Sequence, residues 1–224
     1  MKKAGGRSGA HDRGGRKGGE KSAIELRIEQ LSAGGAGVAR TGAGEVVFVS
    51  GTAPGDLVEV EVDRGARPAR GALLRVIEPG PGRVAPPCEF VGACGGCDWM
   101  HLSPEAQEQA HAEILRGAIA RATSISDLPP IRVHRAPQPL GYRTRARLYA
   151  RTSRAGAAVG YRAEGSHALA RVDRCLVLSP ALDPLLRELP EILAGARGEG
   201  DLLIALGKGG RPVVEIGWRG ELAQ

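Results

Sequence analysis

The chain has 224 residues, 42% hydrophobic and 3% aromatic, with 31 Lys and Arg against 25 Asp and Glu for a formal net charge of +6. This length allows two small domains. There is no apolar run of ~20 residues to cross a membrane as a helix, and Met1-Lys2-Lys3 is followed by none of the hydrophobic stretch of a secretory leader, so a cytoplasmic location is expected.

The charge is unevenly placed. Residues 1–21 hold seven Lys and Arg against Asp12 and Glu20. With almost nothing to bury, this basic stretch is expected to be a disordered tail that attracts polyanions. Residues 22–78 show the period-two alternation of strands with one buried face, at Ile24-Leu26-Ile28 and Val58-Val60-Val62. Val46–Val49 and Leu73–Ile77 are two further short apolar runs. Gly34–Gly37, Gly42–Gly44 and Pro54-Gly55-Asp56 separate these runs as turns. About five short strands in so few residues predict a small OB-like β-barrel.

Pro79–Gly82 reads as a linker into a second domain over 79–224. Ser103-Pro104-Glu105 starts a helix to about Ala122, with a hydroxyl cap, a first-turn proline and an early acid. Ala110, Ile114, Leu115, Ala118 and Ile119 share one face of it. Strands are predicted at Tyr142–Ala150, Ala157–Arg162 and Ala168–Val172, and a second helix from Ser179-Pro180 to about Gly195. A final pair, Asp201–Leu206 and Pro212–Trp218, is joined by a Gly207-Lys208-Gly209-Gly210 hairpin turn. The fold class is mainly β: a barrel followed by an α+β domain.

Cysteine occurs only at Cys88, Cys94, Cys97 and Cys175. A clustered trio with one distant partner reads as a four-thiolate metal site. The Cys-x5-Cys-x2-Cys run favours a cubane iron–sulfur cluster over zinc, which usually takes two paired knuckles. Disulfides are the other alternative, disfavoured by the low cysteine content. Gly95 and Gly96 would supply φ > 0 turns around the core. Residues 132–174 hold ten Arg and no Lys, against Glu164 and Asp173, which points to phosphate and a nucleic-acid partner. Arg143, Arg145 and Arg147 alternate toward one strand face. Tyr142 and Tyr149 beside them could stack on unpaired bases, and His101 could donate to RNA or pack near the cysteines.

Cys88-x5-Cys94-Gly-Gly-Cys97 with Trp99-Met100-His101-Leu102 resembles the iron–sulfur signature of bacterial RNA (uracil-5-)-methyltransferases acting on 23S rRNA. Gly141–Leu148 is similar to the family's Tyr-Arg-Asn-Arg/Lys segment, with Thr144 in place of the usual Asn. Val159–Arg162 and Val172–Cys175 resemble the strand pair that brings the fourth ligand. Residues 22–78 resemble the family's TRAM domain. The resemblance implies a [4Fe–4S] cluster on Cys88, Cys94, Cys97 and Cys175, and RNA, 23S rRNA, as partner. It also implies a Rossmann-like domain that binds S-adenosylmethionine, for which the chain shows no Gly-rich strand–turn–helix. The family is understood to add a free cysteine to C6 of uracil, and no cysteine remains free if all four hold a cluster. The chain alone is therefore expected to be inactive, with no catalytic residue of its own, acting with a separate methyltransferase domain or chain. A stand-alone iron–sulfur or zinc RNA-binding protein is the alternative. A radical S-adenosylmethionine enzyme is disfavoured, because its cysteine spacing begins with three residues rather than five.

Overall fold

The computed structural model describes residues 23–222 apart from 124 and 126, so the basic tail expected over 1–21 lies outside the described residues. Five strands close the expected barrel: β1 (Ala23–Leu31), β2 (Gly37–Arg40), β3 (Val46–Val49), β4 (Leu57–Asp63) and β5 (Ala69–Glu78), in the order β1-β2-β3-β5-β4. All neighbours are antiparallel except β3 and β5. The alternating residues do fill the interior: Leu26, Ile28, Val58, Val60 and Val62 are buried with Ala39, Val47 and Val49. Each large aliphatic contributes roughly 1.5–3 kcal/mol by leaving water. One strand, β2, begins in the glycine stretch expected to be a turn. Gly37 belongs to the strand because a Cβ there would overlap the Thr52 hydroxyl, so it serves close packing rather than chain reversal.

The second unit is a five-stranded antiparallel sheet in the order β10-β9-β6-β7-β8. Its strands are β6 (Arg145–Ser153), β7 (Gly156–Arg162), β8 (Leu169–Arg171), β9 (Arg197–Leu206) and β10 (Pro212–Glu221). The 207–210 segment is the hairpin turn expected, closed by the Gly207 N–H on the Arg211 carbonyl at 2.7 Å. One face of this sheet packs Leu148, Val159, Tyr161, Leu202 and Ile204 against α2 (Leu185–Ile192) and its flanks. That helix starts later than Ser179. A single turn closes on the Ser179 carbonyl, and Pro184, with no N–H to leave unpaired, caps the helix proper.

Helix α1 (Pro104–Thr123) begins as expected, with Ser103 Oγ accepting the Ala106 N–H at 3.1 Å. Its apolar face is largely uncovered. Only Ala110 is buried, beside Leu31, Ala53 and Leu102, while Leu115 and Ala118 are exposed. Among the described residues no helix is long and apolar enough to cross a membrane.

The segment leaving the barrel is held to it through Asp56, which is fully buried. Its carboxylate accepts the Ala53 and Gly80 N–H groups, each at 2.7 Å, and the Arg83 guanidinium at 2.7–3.1 Å. Arg83 also donates to the Gly51 carbonyl at 2.7 Å. Burial pushes the Asp56 carboxyl up, but Arg83 and the two N–H groups together outweigh it and hold the group below the usual carboxylate range. A depressed carboxylate stabilises the fold above its unfolded pKa and loses that contribution as pH falls through the folded value. Arg83→Met, which leaves Asp56 buried without its cation, is expected to cost about 3 kcal/mol in urea unfolding at neutral pH. A loss under about 0.5 kcal/mol, the range of an ordinary surface substitution, would show that the pair does not hold the junction.

Candidate functional site

The cysteine loop is built on local hydrogen bonds. The Cys94 N–H donates to the Phe90 carbonyl at 2.8 Å, and Cys94 bridges antiparallel to Ala163 beyond the end of β7. Gly95 presses on that same chain end. Its N–H donates to the Arg162 carbonyl at 3.0 Å, and an added Cβ would stand 3.1 Å from both that oxygen and Glu164 Cα. The positive φ expected at Gly95 or Gly96 falls instead on Gly92, at 85°, so Gly95 is required for close approach rather than for its φ.

Cys175 arrives from the other side, after β8. Its N–H donates to Asp183 Oδ1 at 2.6 Å and its carbonyl accepts the Leu178 N–H at 3.0 Å. Arg174 pairs with Glu89 at 2.9 Å across the two cysteine segments. Cys88, Cys94, Cys97 and Cys175 are all half-buried and line one pocket with Phe90, Met100, Tyr161 and Arg143. Among the described residues no carboxylate lines that pocket. Among the described residues no three His, Cys, Asp or Glu side chains stand close enough to hold a single metal ion.

Burial pushes the Cys94 and Cys97 thiols above the ordinary cysteine range. The Gly96 N–H opposes it at Cys94 and the Arg143 guanidinium opposes it at Cys97, without reversing it. Burial works against the Arg143 charge, and Cys97 with Tyr142 and Tyr161 outweighs that, raising its pKa. Tyr161 donates its hydroxyl to Cys175 Sγ at 3.6 Å. Desolvation first, then Cys175, raises the Tyr161 phenol well above its ordinary value.

The arginines do not form one row. Residue 143 precedes β6 and bridges in parallel to Leu178, which turns Arg143 to the thiol pocket. Arg145 and Arg147 do share a face, opposite the buried Ala146 and Leu148. Among the described residues neither has a hydrogen-bond or ion-pair partner for its side chain. Tyr149 lies on that face but is 3% exposed. The Arg162 guanidinium covers its ring at 3.3 Å from the centroid, and its hydroxyl donates to Glu199. Glu199 also pairs with Arg151 at 2.8 Å and Arg219 at 3.1 Å. Tyr149 is therefore a packed residue, not a free stacking platform. The sequence gives no signal for this network, because Glu199 reaches Tyr149 only through the pairing of β6 with β9. Tyr142, outside β6 and 56% exposed, does present its ring.

Residues 20–73 match the TRAM domain family. The 23S rRNA (uracil(1939)-C(5))-methyltransferase RlmD of Halomonas elongata is 43% identical over 178 residues, 79% of this chain and 36% of that protein. The RlmD of Edwardsiella ictaluri is 36% identical over 186 residues, 82% of this chain and 42% of its own length. An uncharacterised RNA methyltransferase of Thermosynechococcus vestitus is 39% identical over 172 residues, 76% of this chain and 38% of its own. The chain carries a TRAM domain and is a homologue of these RNA methyltransferases. It spans well under half the length of each of these three relatives.

The TRAM barrel extends beyond the matched residues to the end of β5 at Glu78. His101 belongs to its junction with the cysteine segment. The side chain is 4% exposed and donates Nε2–H to the Thr52 carbonyl at 3.0 Å. Trp99 donates to the Gly35 carbonyl at 2.9 Å and stacks against His111. His101 is thus packed in the junction, with its Nε2–H already committed to Thr52.

Burial lowers the His101 pKa, only partly opposed by its bond to Thr52, with Arg83 also disfavouring the cation and Asp56 favouring it. A lowered histidine contributes stability above its unfolded pKa of about 6.5, and loses it as pH falls, because the unfolded chain then binds a proton the folded one refuses. Unfolding measured from pH 7 to pH 5 should therefore show a steeper loss in the wild type than in His101→Gln. Parallel curves would remove His101 as the cause.

Proposed function

We propose that this chain is the RNA-holding, iron–sulfur portion of a SAM-dependent 23S rRNA (uracil-5-)-methyltransferase, with methyl transfer performed by a domain outside these residues. The observation that carries this reading is the meeting of four cysteines, drawn from sequence positions 88 and 175 alike, in one carboxylate-free pocket beside Arg143. Soft thiolates without oxygen ligands suit iron–sulfur or zinc. Zinc usually takes two paired knuckles, whereas a clustered Cys-x5-Cys-x2-Cys trio with one distant partner favours the [4Fe–4S] core. Cys88, Cys94, Cys97 and Cys175 would hold that core, and its iron–thiolate bonds would tie residue 175 to the 88–97 loop.

The chain's own residues then position RNA. Arg145 and Arg147, unpartnered on the open face of the sheet, offer guanidinium forks to phosphate. Tyr142 offers an exposed ring for an unpaired base. A base presented for chemistry must leave its stack, so the strand around it has to be held. The attack on uracil C6 requires a free thiolate, and with all four cysteines committed it comes from the catalytic domain, as does the S-adenosylmethionine site. The relatives' names, 23S rRNA (uracil-C5)-methyltransferases, support both substrate and reaction.

Anaerobic purification with iron and sulfide analysis tests the core: about four of each per chain are expected, lost in Cys175→Ser. Stoichiometric zinc without visible absorption would replace the core reading with a zinc-stapled module. In RNA-binding titrations, Arg145→Gln and Arg147→Gln should each weaken affinity and lower the salt slope by about 1, whereas Tyr149→Phe should bind as wild type. Unchanged affinity in both Arg variants would remove the sheet face as the RNA surface.

A further inference from the structure

Tyr161 sits on the buried face of β7, 7% exposed, with its hydroxyl on Cys175 Sγ at 3.6 Å. A phenol hydroxyl in an apolar core needs an acceptor to offset its lost hydration. A neutral thiol is a poor one; a thiolate bound to a metal carries charge and is a good one. The hydroxyl is thus matched to Cys175 as a charged ligand rather than as a free thiol. Arg143 lines the same pocket, on the side of Cys97. Arg174 lines it too, but its charge is paired with Glu89, so the thiols face one neutral donor and one cation not paired in this way.

We propose that Tyr161, acting through Cys175 and together with Arg143, is a positioning residue that sets the reduction potential of the metal core held by the four thiolates. The inference rests on the iron–sulfur reading above. One-electron reduction by an external reductant would form and break no bond, and the four cysteine sulfurs would share the added charge. A hydrogen bond to one sulfur and a guanidinium beside another both stabilise that charge, so both raise the potential. The same bond fixes the Cys175 side chain, whose backbone is already held by Asp183 and Leu178.

The test is a reductive titration of the anaerobically purified chain, followed by bleaching of its visible absorption. Tyr161→Phe, which keeps the ring and removes the donor, should hold the same iron and sulfide and titrate at a more negative potential. Replacing Tyr161 site-specifically with 3-fluorotyrosine, a stronger donor of nearly the same shape, should move the potential the opposite way. A merely structural role would move neither. Arg143→Gln should shift it negative, and Tyr149→Phe, whose hydroxyl serves Glu199, should leave it unmoved. If the wild type holds four irons and neither Tyr161 replacement changes the potential, the tuning role is overturned while the core reading stands. If the phenylalanine variant fails to retain iron, the fluorotyrosine variant decides alone. A wild type without iron overturns the core reading, and this inference with it.

Discussion

A buried carboxylate organises the molecule. Asp56 has no exposed surface, and an ion in that position is tolerated only where its lone pairs are filled and its charge matched. Ala53 and Gly80 fill two of them and Arg83 supplies the charge. These residues come from the barrel and from the segment that leaves it, so the demands of one side chain fix the exit direction of the chain. Thr52, next to this turn, receives His101, and Gly35 receives Trp99. The segment from Arg83 to Leu102, which holds three of the four cysteines, is thereby anchored to the barrel at both ends.

The thiol pocket depends on that anchoring and on a second, separate one. Cys175 is held by Asp183 and by the turn leading to α2, which itself packs on the sheet. The cysteine loop touches the sheet where Gly95 meets the end of β7. Two anchored segments meet near the end of β7, with Arg143 between them in the chain and beside them in space. Burial raises the Cys94 and Cys97 thiols, opposed in part by the Gly96 N–H and by Arg143; a metal bound there would have to displace their protons.

The open face of the sheet is divided by Glu199. Arg151, Arg219 and Tyr149 are committed to it, and Arg162 is committed to the Tyr149 ring. Charges satisfied in this way stiffen the sheet but have little left for a phosphate. Arg145 and Arg147 lie on the same face of β6, away from Glu199, without such partners. A high arginine count thus resolves into a structural set and an available set.

The sequence by itself determined the barrel, the start of α1 and the terminal hairpin. Each depends on local periodicity or a cap: Val58-Val60-Val62 on one strand face, Ser103 before Pro104, a glycine-rich turn between two apolar runs. It also isolated the four cysteines, because no others occur. Long-range contact decided the rest. Arg143 left the row of Arg145 and Arg147 because its backbone pairs with Leu178, and Tyr149 lost its free ring to Arg162 and Glu199 across two neighbouring strands. His101 went into the junction and Gly37 into a strand. Spacing along a chain gives the face on which a side chain emerges, but only packing between distant segments decides what covers that face, and so whether a residue binds a partner or holds the fold.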